Sequence, residues 1–494
     1  MGKNKKVVVI GAGFSGLAAS ALMAKEGYNV TLLEKNNQTG GRARIWERDG
    51  FRFDMGPSWY WMPDVFENYF ALFGKQSADF YELKRLDPGY RIYFGKNDLI
   101  DIPVNMGEID ALFESIEPGS TRKLKVFLTH AETKYKIGMR EYVFKPSHSV
   151  AEYLNFNLIK KSFDLQLPAS MSKHVRGYFH HPKLIQLLEF PVLFLGATPQ
   201  NTPALYSMMN YADLVLGTWY PMGGMHEIVK AMVKTAEEHG VRIRLETEVT
   251  KINIEKGFVK SVSTNKGDHL TDMVIAGADY EHVDQHLIDE PYRNYSTKYW
   301  DQRNLSPSCL IWYIGINKKL PDILHHNLFF DEDIEQHAKD IYTDPKWPQK
   351  RLFYVCCSSK TDPTVAPENC ENLFFLMPVA PGIEDNETIR QQYLDLMISR
   401  FENITGEKIS NNIILKRSYA LNDFKADYHS FKGNAYGLAN TLKQTAFLKP
   451  AMRAKKIKNL LYTGQLTVPG PGVPPAIISG QIVAKEAMKY LGRP

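Results

Sequence analysis

The sequence runs to 494 residues, 44% hydrophobic and 23% charged, a composition that excludes a disordered or fibrous chain and, at this length, predicts two intertwined domains. The 60 basic and 55 acidic residues leave a net charge of +5, too balanced for a nucleic-acid partner and compatible with an anionic membrane surface. No stretch approaches the ~18 uninterrupted apolar residues of a membrane-spanning helix, Phe190–Ala197 being far too short.

Met1-Gly2-Lys3-Asn4-Lys5-Lys6 runs directly into apolar sequence, so no secretory signal is expected, and the expected location is cytoplasmic, peripheral to a membrane. Cys309, Cys356, Cys357 and Cys370 show no C-x-x-C spacing. They read as small buried residues, with no disulfide framework and no metal site expected.

Val7-Val8-Val9-Ile10 is an all-apolar β-branched run, as expected of a parallel strand buried on both faces. Gly11-Ala12-Gly13-Phe14-Ser15-Gly16 follows with G-x-G-x-x-G spacing. Gly11 suits a tight turn, Gly13 a close approach to a pyrophosphate, and Gly16 the packing of helix on strand. The helix from about Gly16 to Glu26 presents the free N–H groups near Phe14 and Ser15 to phosphates. Val30–Leu33 is a second strand, closed by Glu34 and Lys35. Glu34 stands 23 residues after Gly11, where an acid binds a ribose hydroxyl. Strand, glycines, helix, strand and acid in this order predict a dinucleotide site.

Gly40-Gly41-Arg42-Ala43-Arg44 resembles the flavin-binding fingerprint of the amine oxidase and carotenoid desaturase superfamily. The resemblance implies FAD, with Gly41 and Arg42 at the pyrophosphate, a task suited to a rigid guanidinium fork. Phe51-Arg52-Phe53-Asp54-Met55-Gly56-Pro57-Ser58 resembles the bacterial phytoene desaturase type, which implies that Met55, Gly56, Pro57 and Ser58 lie near the isoalloxazine ring. Trp59-Tyr60-Trp61 is either core packing or the lining of a channel for an apolar substrate.

From Val65 to Lys183 the pattern is mixed, with helices expected at Ala111–Ile116 and Arg122–Tyr135. Asn155–Phe163 reads as a membrane-dipping helix or an amphipathic core helix. Tyr220-Pro221-Met222-Gly223-Gly224-Met225, before a helix from His226 to Glu238, again resembles the desaturases; His226 reads as structural. Strands are expected at Val241–Leu245, Glu248–Ile252, Asp272–Asp279, Ser308–Ile316 and Asn372–Met377, and helices at Thr388–Phe401 and Ala435–Thr441. The resemblance places Val249 at the adenine. At the C-terminus, Asn459–Gly464 (a strand), the loop Pro469–Ala476 and a helix from Ile477 to Tyr490 match the family segment that closes the flavin site, which implicates Gly464, Gln465, Gly472 and Val473. Many relatives carry an acid where Gln465 stands, so weaker, membrane-assisted flavin binding is expected.

The expected fold is α/β: a Rossmann-like FAD-binding domain (1–75, 205–290 and 450–494) interleaved with an α+β substrate-binding and membrane-associating domain (76–204 and 291–449), a mixed sheet with a helical cap. The resemblance implies an FAD-dependent carotenoid desaturase that introduces double bonds into an acyclic polyene, phytoene towards lycopene. The implied chemistry is hydride transfer to flavin N5 with loss of a vicinal proton, and oxygen or a quinone as electron acceptor. A hydroxycarotenoid 3,4-desaturase, a carotenoid isomerase and a non-enzymatic prenyl-lipid escort are the alternatives. Asp54 and Asp279 are the acids nearest the predicted flavin, as proton acceptors or as caps and turn formers.

Overall fold

The apolar run at Lys6–Ile10 forms the middle strand of a five-stranded sheet in a computed structural model that describes residues 5–149, 152, 169–441 and 443–492. The strand order is Leu460–Tyr462, Met273–Ala276, Lys6–Ile10, Asn29–Leu33, Arg242–Arg244, and every pairing is parallel. Helices on one face and a three-stranded antiparallel sheet (Val249–Glu255, Phe258–Thr264, Gly267–Leu270) on the other explain why this strand is apolar on both sides: Val7 and Val9 join the helical core, Val8 and Ile10 the second one.

Helix Phe14–Lys25 packs between His226–Glu238 and the C-terminal helix Val473–Leu491. The closest approach needs a glycine: a Cβ at Gly480 would sit 2.4 Å from the Ser15 carbonyl oxygen.

The second large sheet has seven strands in the order Ile413–Tyr419, Ser308–Ile316, Glu371–Val379, Phe353–Cys356, His326–Phe329, Tyr90–Gly95, Asp98–Ile102. It is antiparallel except where His326–Phe329 runs parallel to Tyr90–Gly95. Leu310, Ile314 and Phe375 bury one face against Leu394, Met397 and Phe401 of helix Glu387–Thr405. The other face meets the hairpin Ile45–Arg48/Phe51–Asp54, where Gly315 makes room for the Phe51 ring and the Tyr313 hydroxyl donates to the Met55 carbonyl at 2.8 Å.

One expectation is corrected. Ala435–Thr441 is not helical: the Gly437 N–H donates to Asn434 Oδ1 at 2.6 Å, Gly437 takes φ +87°, and Leu438 bridges Leu305. Its helix-like apolar spacing reflects burial at successive positions instead. The run at Phe190 forms a 3₁₀ helix, Phe190–Leu195, ended by Gly196 at φ +74°. Asn155–Phe163 lies outside the described residues. Among the described residues, no helix is long and apolar enough to cross a membrane.

Candidate active site

The carboxyl ends of the parallel strands and the loops that follow them form one pocket, the usual ligand position in an open parallel sheet. Gly11, Gly13, Phe14, Ser15, Glu34, Lys35, Gly41, Arg42, Gly56, Pro57, Val249, Gly464, Gln465, Gly472 and Val473 all line it. Gly16 packs beneath, where a Cβ would lie 1.9 Å from the Gly11 carbonyl oxygen. Met55 is buried and engaged through its backbone, and Ser58 faces a neighbouring cavity.

The glycine loop is built to leave space. Gly11 takes φ +92°, a left-handed turn that returns its N–H to the Leu33 carbonyl, while a Cβ placed on Gly13 would meet nothing within 4 Å. Helix Phe14–Lys25 begins there with no side-chain cap, so its first N–H groups open towards the pocket. Glu34 holds the far side: its carboxylate accepts from the Ala12 N–H at 2.8 Å and from the Asn36 N–H at 2.9 Å. Arg42 donates to Ser430 Oγ at 3.1 Å and to the Asn434 carbonyl at 3.3 Å, and it lies over the Tyr428 ring. Its Nε is buried without a partner. Burial pulls the Arg42 pKa down and Asp279 opposes that fall.

The two candidate acids take different positions. Asp54 accepts from the Met225 N–H at 2.8 Å and the His226 N–H at 3.0 Å, capping helix His226–Glu238, and it lines neither cavity. His226 in turn binds the Ala43 carbonyl at 2.7 Å, fixing the Gly41–Ala43 loop. Asp279 caps helix Tyr280–His286 and lines the pocket. Burial pushes both carboxyls up to about 6.

Several pocket residues carry no short-range sequence signal: His282, Asp427, Tyr428 and His429. His282 and His429 stack at 3.9 Å, and His429 Nε2 lies 2.8 Å from Glu248 Oε1. Burial, then His429, holds the His282 imidazole down at about 3 and so neutral. These groups arrive from distant parts of the chain, so only the fold reveals them.

A second cavity of about 650 Å³ abuts the first, sharing Gly56, Pro57, Leu376, Tyr436, Gly472 and Val473 with it. Its wall is mainly apolar and aromatic, including Trp59, Trp61, Phe190, Phe330 and Tyr354. Trp59 and Trp61 thus line this cavity, whereas Tyr60 is core, stacked on Phe66 and bonded to the Tyr81 hydroxyl. The histidine in the wall, His337, is fully engaged: Nδ1 accepts from the Leu352 N–H and Nε2 donates to the Pro378 carbonyl, both at 2.9 Å. Burial lowers it to about 4, so the ring stays neutral, and its one lone pair, on Nδ1, is already taken by the Leu352 N–H.

The model of the flavin-containing amine oxidoreductase family matches residues 14–488, and the chain belongs to that family. It is an oxidoreductase with FAD as its cofactor. The pocket fits that group: an open backbone cradle at Gly13, a buried unpartnered guanidinium nitrogen at Arg42 and a carboxylate at Glu34.

The chain is 41% identical over 489 residues to the carotenoid 3,4-desaturase of Haloarcula japonica, covering 98% of each chain. It is 31% identical over 500 residues to the 4,4′-diapophytoene desaturase (4,4′-diaponeurosporene-forming) of Staphylococcus aureus, covering 99% of each. An oxidoreductase from Methanosarcina mazei shares the fold with a TM-score of 0.66 at 16% identity, over 97% of this chain and 100% of that one.

Proposed function

We propose that this protein desaturates an acyclic carotenoid, phytoene towards lycopene. The carrying observation is the shared wall: a mainly apolar cavity of about 650 Å³ has Gly56, Pro57, Gly472 and Val473 in common with the dinucleotide pocket. A hydrocarbon offers no charge to grip, so its binding rests on apolar burial at roughly 25 cal/mol per Å². FAD, when bound, supplies the two-electron chemistry. The chain's own residues hold the polyene, exclude water and present aromatic faces such as Trp59 and Phe330 to positive charge developing along it. His337, tied to backbone on both nitrogens, stays out of proton transfer.

The same reading includes cytoplasmic, peripheral membrane attachment. Phe447 and Leu448 are 39% and 42% exposed, and Phe447 also lines the cavity, which supports a mouth applied to lipid. A substrate drawn from a bilayer puts a membrane quinone within reach as electron acceptor, with oxygen the other candidate.

The test is the flavin spectrum of FAD-reconstituted protein, anaerobic, with phytoene in liposomes. Bleaching with appearance of longer-conjugated carotenes is expected. A parallel run with an already conjugated carotene widens the test to the 3,4-desaturation that the Haloarcula relative's name prints. An unbleached flavin with both substrates would overturn the proposal.

A further inference from the structure

Behind Trp59, outside both cavities, three side chains converge that the proposed reaction does not use. His326 and Cys356 are directly opposed across the antiparallel pair His326–Phe329/Phe353–Cys356, so both project from one face of the sheet. His325 joins them from the preceding residue, its carbonyl held by the Cys357 N–H. A ring nitrogen of each histidine and Cys356 Sγ lie within 4.8 Å of one another. All three residues are buried: His325 is 4% exposed, His326 0% and Cys356 6%.

The imidazoles are oriented as ligands are. His325 is held through Nδ1 by Thr361 Oγ1 at 2.8 Å, and His326 through Nδ1 by the Tyr354 hydroxyl at 2.6 Å. Nε2 of each is buried with no hydrogen-bond partner. Two unpaired polar atoms in one buried spot are costly unless something satisfies them. Metal-bound histidines characteristically secure the second ring nitrogen in this way, which fixes both tautomer and ring plane. Nearby Tyr220 packs edge-on against His325 at 4.7 Å, and its hydroxyl reaches towards Asp362.

We propose that His325, His326 and Cys356 bind one soft metal ion, zinc(II) or copper(I), behind the wall of the apolar cavity. Two imidazoles and one thiolate are the donor set such ions favour. Bond lengths of about 2.0–2.3 Å place tetrahedral ligand atoms roughly 3.5 Å apart, within small side-chain rotations of the observed spacing. As the S–metal bond forms, the Cys356 thiol releases its proton to solvent, and no electron changes hands. The neutral site with copper(I), or the singly positive one with zinc(II), lies among Asp54 and Asp362, whose fields reach Cys356 and His325. The ion's effect is positional: the Trp59 indole stacks on the His326 ring at 4.1 Å and 8°, so fixing His326 fixes a plane of the cavity wall.

The test uses the full-length, FAD-loaded protein, stripped with chelator and incubated anaerobically with zinc(II) or copper(I), then desalted and assayed for metal per chain. About one equivalent of one of the two ions is expected, and which one is retained identifies the site's metal. Cobalt(II), as a spectroscopic probe, should show a thiolate-to-metal charge-transfer band. Cys356→Ser should abolish that band, and His325→Gln or His326→Gln should weaken metal binding about tenfold or more. Cys309→Ser and Cys370→Ser should leave both signals. Wild-type protein that retains neither ion and gives no cobalt band overturns the proposal without reference to any variant; so does metal retained equally in C356S and H326Q.

Discussion

The Ala12 N–H donates to Glu34 Oε2 at 2.8 Å, which clamps the glycine loop to the end of the second strand. Glu34 therefore shapes the loop and offers its remaining acceptor sites to the pocket. Glu34→Gln keeps the shape and removes the charge. Hydrogen bonds to charged groups contribute about 1.5–3 kcal/mol, so FAD affinity should fall about tenfold or more in a titration followed by flavin fluorescence, with the circular dichroism unchanged.

Two glycines three residues apart should separate folding from cofactor binding. At Gly13 a methyl meets nothing within 4 Å and φ is −76°, so Gly13→Ala should leave the melting temperature of the FAD-free protein unchanged or slightly raised. The same methyl occupies the space open to the cofactor, and FAD retention should collapse. At Gly16 it would strike the Gly11 carbonyl oxygen, so Gly16→Ala should destabilise the FAD-free protein by about 1–3 kcal/mol or more in urea unfolding. Equal stability in the two variants would contradict this account.

Gln465 lines the cofactor pocket and makes only a long 3.5 Å contact, from its Nε2 to Asn434 Oδ1. Gln465→Glu puts a carboxylate in the pocket directly after Gly464. A carboxylate accepting one hydroxyl hydrogen bond should tighten FAD binding about tenfold. Dialysis should then leave more flavin on the variant than on the wild type.

Asp54 gives a pH signature. Burial raises its carboxyl from 3.8 to about 6, so between those values the folded chain holds a proton that the unfolded chain has released. This contribution is complete below about pH 4 and is lost as the pH rises through about 6. Asp54→Asn keeps an oxygen to cap the Met225 and His226 N–H groups but cannot titrate. Relative to the variant, wild type should lose about 2–3 kcal/mol between pH 4 and pH 7, read by urea unfolding at both values. A pH-independent difference would assign Asp54 an ordinary carboxyl.

The cofactor side of the fold was legible in the sequence because its constraints are local. A β-branched run, a glycine at positive φ and an acid at the next strand end are requirements of backbone geometry, and Gly11 and Glu34 stand where those requirements place them, whereas Arg42, which also lines the pocket, was indicated by the family resemblance alone. Of the seven-stranded sheet only Ser308–Ile316 and Asn372–Met377 were legible as strands, and neither the other five nor the order was, because Tyr90–Gly95 pairs with His326–Phe329 across more than 200 residues. Ala435–Thr441 misled because apolar residues buried on several sides imitate a helical stripe. Tyr428 reaches the pocket through Arg42, 386 residues earlier in the chain, and the His325–His326–Cys356 cluster forms only once two strands pair in register. No window of sequence contains those meetings.

The seam between the two cavities holds two glycines, Gly56 and Gly472, beside Pro57, Val473, Leu376 and Tyr436. A Cβ at Gly56 would come within 2.6 Å of the Arg42 carbonyl oxygen, and Gly472 sits at φ +112°. Drift in sequence therefore has little purchase on those two glycines, whereas the remote wall, built of interchangeable aromatic and aliphatic side chains, can be reshaped one residue at a time. In a lineage of such enzymes the reaction is thus inherited through the backbone, and the choice of molecule is free to wander through the side chains.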